Sequence, residues 1–333
     1  MRLVGRNKLS RRGAQARWRQ RRSLVLGCLS AVAISLLFAQ CNKSPTTPSP
    51  GTQPPVPGPS PSPPLPQAPG PVTFAGAGDI AITNGHDDAT ARLIDTIGGA
   101  YVFTLGDDAY PNGSPENFRV FDRTWGRFTG RIHPAPGNHE YMTPGAAGYF
   151  GYFGEAAGPS GQGYYAFTLG AWRLISLNSN YEFGVGVDAG SPQAVWLQGE
   201  LASNSSKCTL AYWHHPLFSS GQNGDYKGMR AIFDILYNAN AEIVLNGHDH
   251  LYERFGPQDG GGRPDPARGI REFIVGTGGV NADYRFVTSK PNSEAKITGK
   301  NGVLKLTLET DRYQWEFVTV DGTAADSGTG QCH

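Results

Sequence analysis

Four short apolar runs in this chain each stop at a polar residue able to bind a metal ion, and this pattern limits the possible folds more than any other feature. Val72–Ala77 stops at Gly78-Asp79 and Ala100–Leu105 at Gly106-Asp107. Leu210–Trp213 stops at His214-His215, and Ala241–Leu245 at Asn246-Gly247-His248. Such runs suit buried strands, and open α/β sheets carry their working groups at the carboxyl ends of strands. Helical stretches lie between them. Asp87–Ile97 has apolar residues at helical spacing. Ser114-Pro115 and Ser191-Pro192 each put a capping hydroxyl before a first-turn proline, and the second of these helices runs through Leu201. Met229–Tyr237 is a fourth helix. Tyr164–Asn178 reads as a hairpin turning at Leu169-Gly170, and Val303–Val320 as another turning near Asp311. Strands of both habits with interspersed helices predict a mixed α/β fold. The expected architecture is a four-layer αββα sandwich, two mixed β-sheets face to face with helices outside.

The net charge of +1 conceals a segregation. Nine of the 29 basic residues lie in residues 1–41, which hold no acid. After Cys41, 20 basic residues face 28 acidic ones, a net charge of −8. A body this acidic argues against a nucleic-acid-binding surface and suits a protein that holds cations. The basic stretch to Arg22 precedes an apolar run, Ser23–Ala39, that is short for a bilayer span and reads as an export signal. Leu37-Phe38-Ala39-Gln40-Cys41 resembles a bacterial lipoprotein signal, in which the cysteine is acylated. An uncleaved apolar anchor or a plain secretory signal are the alternatives. Residues 42–72 form a linker, with 13 of the chain's 25 prolines between Pro45 and Pro71. That composition favours extended polyproline geometry and no core, as a stalk requires. Residues 73–333 form the folded domain. The expected location is outside the cytoplasm, periplasmic or on the cell surface, with membrane attachment through a Cys41 lipid or the apolar segment. In an oxidising compartment the two remaining cysteines, Cys208 and Cys332, suggest a disulfide; the alternative is a buried thiol and a frayed tail.

The chemistry lies in five motifs. They are Gly78-Asp79, Gly106-Asp107-Asp108-Ala109-Tyr110, Gly137-Asn138-His139-Glu140, His214-His215-Pro216 and Gly247-His248-Asp249-His250. Together they offer carboxylates, an amide oxygen, imidazoles and a phenol, enough for two adjacent coordination spheres. None is specific alone; their combination and order are. His86 and His133 stand apart and read as surface or structural residues.

The set resembles the calcineurin-like metallophosphoesterases and, within them, the purple acid phosphatase branch, including its bacterial alkaline phosphatase-like group. The resemblance spans nearly all of residues 73–320 and extends to Tyr252-Glu253-Arg254. Most of the superfamily opens with Gly-Asp-x-His, but here Ile80-Ala81 follows Asp79. In the purple branch a tyrosine of the second motif supplies the missing ligand, and Tyr110 stands there. The resemblance therefore implies Asp79, Asp107, Tyr110 and His250 on one metal and Asn138, His214 and His248 on the other, with Asp107 shared. Two carboxylates and a phenolate favour Fe(III); two imidazoles and an amide suit divalent Zn, Fe or Mn. It also implies hydrolysis of small phosphate monoesters by a metal-activated hydroxide, with phosphodiesters of nucleotides or lipid head groups as the alternative. Specificity would sit in loops such as Thr143–Gly163 and Glu182–Gly190. His139 is expected to face the phosphate, and His215 is the second candidate catalytic residue. Whether His139, His215 or a metal-bound water donates the proton is left open. Asp108, Asp249 and Glu140 are expected to support ligands through hydrogen bonds.

Overall fold

The computed structural model describes residues 70–333. The export segment, Cys41 and the Pro-rich stretch up to residue 69 lie outside the described residues. Among the described residues thirteen strands form two mixed sheets. The six-stranded sheet has the order β13 (Ala324–Gln331), β12 (Arg312–Thr319), β11 (Gly302–Leu308), β1 (Val72–Ala77), β2 (Tyr101–Thr104), β3 (Ile132–His133). The seven-stranded sheet runs β10 (Ser293–Ile297), β8 (Tyr252–Phe255), β9 (Arg271–Val275), β7 (Ile243–Asn246), β6 (Cys208–Tyr212), β5 (Trp172–Ser176), β4 (Tyr165–Leu169). Strands β1, β2 and β3 pair in parallel, as do β5, β6, β7 and β9. The six α-helices among the described residues are α1 (Asp87–Ile97), α2 (Pro115–Thr124), α3 (Asn138–Met142), α4 (Ala147–Phe153), α5 (Pro192–Ser203) and α6 (Arg230–Asn238). The predicted sandwich of two mixed sheets with flanking helices is the observed fold.

Strand periodicity explains the layering. Leu174, Leu210, Tyr212, Ile243 and Leu245 join the core shared with the six-stranded sheet. Their neighbours Ile175, Ala211 and Val244 point the other way, into a second core with Ala194 and Leu197 of α5 and Ile232, Phe233 and Leu236 of α6. Aromatic pairs bridge the two sheets: Phe74 with Tyr212 at 6.0 Å between centroids, Trp172 with Tyr313 at 5.8 Å and Tyr252 stacked on Phe317 at 4.1 Å. His133 of β3 stacks on Phe167 of β4 at 3.9 Å, also across the seam. The Cys208–Cys332 disulfide forms, joining the start of β6 to the residue after β13 with 5.5 Å between Cα atoms. It too links one sheet to the other. Ser114 and Ser191 cap α2 and α5 as expected, accepting from Asn117 N (3.3 Å) and Ala194 N (3.2 Å). No helix among the described residues is long and apolar enough to cross a membrane.

Candidate metal centre

The ends of β1 and β2 stay zipped beyond the sheet. Asp79 N donates to Gly106 O (3.0 Å), Ile80 N to Asp107 O (2.9 Å), Ala81 N to Asp108 O (3.0 Å) and Tyr110 N to Ala81 O (2.8 Å). This continued ladder carries the Tyr110 hydroxyl to 2.9 Å from Asp79 Oδ1 and 3.1 Å from Asp107 Oδ2. Asp79, Asp107 and His248 all adopt positive φ, at 61°, 53° and 71°. A non-glycine residue in that region costs about 1–3 kcal/mol and persists only where its surroundings fix it. Three such residues at three predicted ligands mark a built site. Close approach is enforced at Gly137, where a Cβ would sit 2.2 Å from Asp107 Oδ1.

Glu140, fully buried at the start of α3, does much of the fixing. Its carboxylate accepts from the backbone N–H of Asp107 (2.8 Å), Asp108 (2.9 Å), Ala109 (3.2 Å) and Gly137 (2.8 Å). It thus ties the second and third motifs together. Burial, with the Asp107 charge adding to it, pushes the Glu140 carboxyl up to about 7.

The imidazoles approach from the seven-stranded sheet. His214 Nδ1 lies 2.7 Å from the Leu105 carbonyl, which can only accept, so Nδ1 carries a proton. Nε2 then faces Asp107 Oδ2 (3.1 Å), Asn138 Oδ1 (3.1 Å) and His248 Nδ1 (3.2 Å). On the other side His250 Nε2 lies 3.3 Å from both Asp79 Oδ1 and the Tyr110 oxygen. All seven predicted ligands therefore converge, in two groups that share Asp107 Oδ2.

Donor atoms packed this tightly, most of them acceptors, need positive charge between them. Burial opposes charge on His214, yet contact with Asp107 and the nearby Asp79 push it up to about 10. Burial likewise opposes the Asp107 charge, but His214 and His139 hold this carboxyl below the usual range. The Tyr110 phenol is driven well above 10 by burial and by the two carboxylates, so it keeps its proton unless a cation displaces it. Carboxylate, phenol, amide and imidazole donors fit a pair of metal ions.

The other sequence candidates divide. His139 is part-exposed beside the ligands; its Nδ1 donates to Pro111 O, and its Nε2 points back to within 3.8 Å of Asp107 Oδ2. His215 is buried. Its Nδ1 is 2.8 Å from Ser179 Oγ, its ring stacks on Tyr226 at 4.1 Å, and His248 lies 4.4 Å away between centroids. Burial, followed by the neighbouring His214 and His248, lowers its pKa well below 6.5. Asp249 accepts from Asn223 N (2.9 Å) and from the Ser219 hydroxyl, as expected of a supporting residue. Asp108 departs from expectation: its carboxyl is buried without a hydrogen-bond partner among the described residues. Burial and the adjacent Glu140 raise its pKa, which favours the neutral acid. His86 is exposed and the half-buried His133 stacks on Phe167, as expected of surface and structural residues. Tyr284, which sequence reasoning missed, stacks on the His250 ring at 4.1 Å. It lies in a polar, glycine-flanked loop with no periodic signal.

The calcineurin-like phosphoesterase family matches residues 72–252, and the chain belongs to that family. Purple acid phosphatases are among the curated relatives it matches. Purple acid phosphatase 22 of Arabidopsis thaliana is 31% identical over 39% of this chain and 30% of its own length. Purple acid phosphatase 18 of the same plant is 27% identical over 68% of this chain and 54% of its own length. The chain thus spans about half or less of the curated relatives it matches. The solved purple acid phosphatase of yellow lupin seeds shares the fold, with a TM-score of 0.63 at 20% identity over 78% of this chain and 54% of that one. Family and relatives together imply a dinuclear metal centre.

Proposed function

We propose that this chain is an exported phosphatase that hydrolyses small phosphate monoesters at a dinuclear metal centre. The convergence of seven residues, in two groups that share Asp107 Oδ2, carries the proposal. Asp79, Asp107, Tyr110 and His250 would hold an ion such as Fe(III), and Asn138, His214, His248 and Asp107 a divalent Zn, Fe or Mn. Such a centre supplies Lewis-acid polarisation of the phosphate and activation of the attacking water. In the reaction the water oxygen bonds to phosphorus, the P–O ester bond breaks, and the alcohol leaves with a proton.

The protein's own groups do the rest. Glu140 and the zipped loops fix the ligands before substrate arrives, so little reorganisation remains. The Pro111 carbonyl fixes the His139 ring so that Nε2 is the nitrogen open to substrate. Protonated there, His139 donates to a phosphate oxygen as charge builds, or gives the proton to the leaving alcohol. His215 is read as a positioning residue that packs behind His248, because its buried, depressed imidazole is unsuited to carrying a proton. The disulfide supports an oxidising compartment, hence export.

Turnover of p-nitrophenyl phosphate and bis-p-nitrophenyl phosphate by the metal-loaded protein tests the proposal. The expected result is a faster monoester reaction, abolished by a chelator and restored by metal. A faster diester reaction would overturn the monoester assignment, and activity untouched by the chelator would overturn the metal scheme.

A further inference from the structure

Residues 276–292 join β9 to β10 with no helix or strand between them. A connection longer than about 12–15 residues without regular structure is uncommon in a compact domain and usually functional. This one lies beyond residues 72–252, the part of the chain that the family matches. Its first half runs against the first and fifth motifs. Gly278 N donates to Gly78 O (2.8 Å) and Val280 N to Asp79 O (3.1 Å). Gly276 passes so close that a Cβ would lie 2.2 Å from Asp249 O and 2.9 Å from Asp79 Oδ2. Tyr284 follows. Its N–H donates to His250 O (3.3 Å), and its ring stacks on the His250 imidazole at 4.1 Å between centroids and 18° between planes. The tyrosine is itself held in place. Its carbonyl accepts from the Thr298 hydroxyl (2.6 Å), and its ring packs against the buried cluster of Leu251, Phe255 and Ile274. Further along, Val287 N donates to Ser220 O (2.9 Å) and Lys290 pairs with Asp225 (2.7 Å).

We propose that Tyr284 is a positioning residue: its stacked ring turns His250 Nε2 toward Asp79 and Tyr110, and the segment that carries it secures that group of candidate ligands and not the other. The inference rests on the two-metal reading above. Three arguments support it. Asp79 and His250, the two ligands the segment touches, belong to one group; no backbone hydrogen bond of the segment among the described residues reaches Asn138, His214 or His248. The His250 ring also needs a holder. His214 is turned by its 2.7 Å contact with Leu105 O, whereas His250 Nε2 stands 3.3 Å from both Asp79 Oδ1 and the Tyr110 oxygen, just outside the ordinary range of a strong hydrogen bond. Finally, a ring fixed in advance binds without an ordering penalty, so the stack favours capture of the ion that Tyr110 faces.

The test compares the wild type with Tyr284→Leu, which keeps bulk without a flat face, and Tyr284→Phe, which keeps the face without the hydroxyl. Each is loaded with Fe(III) and zinc and titrated with a chelator, following the phenolate-to-iron band and the metal content. In Tyr284→Leu the band should disappear at about tenfold less chelator, the low end of the effect of groups that orient metal ligands. The second ion should leave at the wild-type concentration, and Tyr284→Phe should match the wild type throughout. Equal resistance of the band in Tyr284→Leu, equal weakening of both ions, or a Tyr284→Phe that behaves like Tyr284→Leu would overturn the positioning role and leave the two-metal reading intact. A wild type that binds no iron would instead sink the metal reading. The metal-free protein then decides the role by NMR. The His250 ring protons should be shifted upfield by the Tyr284 ring in the wild type and in Tyr284→Phe, and not in Tyr284→Leu. No such shift in the wild type would overturn it.

Discussion

The two sheets bring different chemistry to the centre. Loops from β1, β2 and β3 of the six-stranded sheet supply every oxygen donor: Asp79, Asp107, Tyr110 and Asn138. Loops from β6 and β7 of the seven-stranded sheet supply the imidazoles among the candidate ligands: His214, His248 and His250. The oxygen side is crowded with like charge and is held by backbone zipping and by Glu140. The nitrogen side is held mainly by contacts across the seam: His214 on Leu105 O and His248 N on Asp79 Oδ2 (2.8 Å). Neither half is a site alone. The packing of one sheet on the other assembles it, so sandwich stability and metal affinity are linked.

The sharpest way to break this arrangement is at Asp107 Oδ2, the atom that the two groups of candidate ligands share. Asp107→Ala should remove both ions and lower activity about a thousandfold or more, beyond the 10–100-fold typical of a residue that only supports a ligand. Metal content and turnover would show it. Loss of a single ion would mean that Asp107 is not shared. Glu140→Gln acts on the oxygen half alone. It turns an amide N–H toward backbone N–H groups and should weaken metal binding by the smaller, roughly 10–100-fold factor.

Two further changes act on the seam itself. Removing the disulfide with Cys208→Ala and Cys332→Ala should lower stability by about 2–5 kcal/mol, since the bond closes a loop of 124 residues in sequence separation. Denaturant unfolding with excess metal and with chelator measures this, and the loss should be larger with metal, because a looser seam also binds metal less tightly. The smallest effect concerns pH. Burial lowers His133 from 6.5 to about 4, so the folded protein keeps it neutral while the unfolded chain takes up a proton. The stability it contributes is full above pH 6.5 and declines as pH falls toward 4. His133→Phe should keep the stack on Phe167 and flatten that slope in melts across the range.

The sequence made some of this legible and hid the rest for physical reasons. Strand ends and helix caps are local signals, so the runs before Asp79, Asp107, His214 and His248 and the caps Ser114 and Ser191 were readable. β13, Ala324–Gln331, carries no strand signal in its small, polar residues. It forms because β12 offers a pairing edge, and because the Trp315 and Tyr313 rings lie over Gly328 and Gly330, where a Cβ would approach to 2.3 and 2.2 Å. Helix α4 was likewise hidden in the stretch read as a loop from Thr143 to Gly163. At the site, the ligand types were legible because metal chemistry limits them. Three of the four amides on Glu140, the contacts of His215 with Ser179 and Tyr226, and Tyr284 under His250 were not, since each joins residues distant in sequence.

The proposed two-metal centre sets Tyr110 in its oxygen half, where a histidine is absent from the first motif. Metal analysis combined with a visible spectrum of the iron-loaded protein tests it most directly. The expected result is two ions per chain and a phenolate-to-iron absorption band that Tyr110→Phe abolishes. Two ions with no band, or a band that survives in Tyr110→Phe, would contradict it.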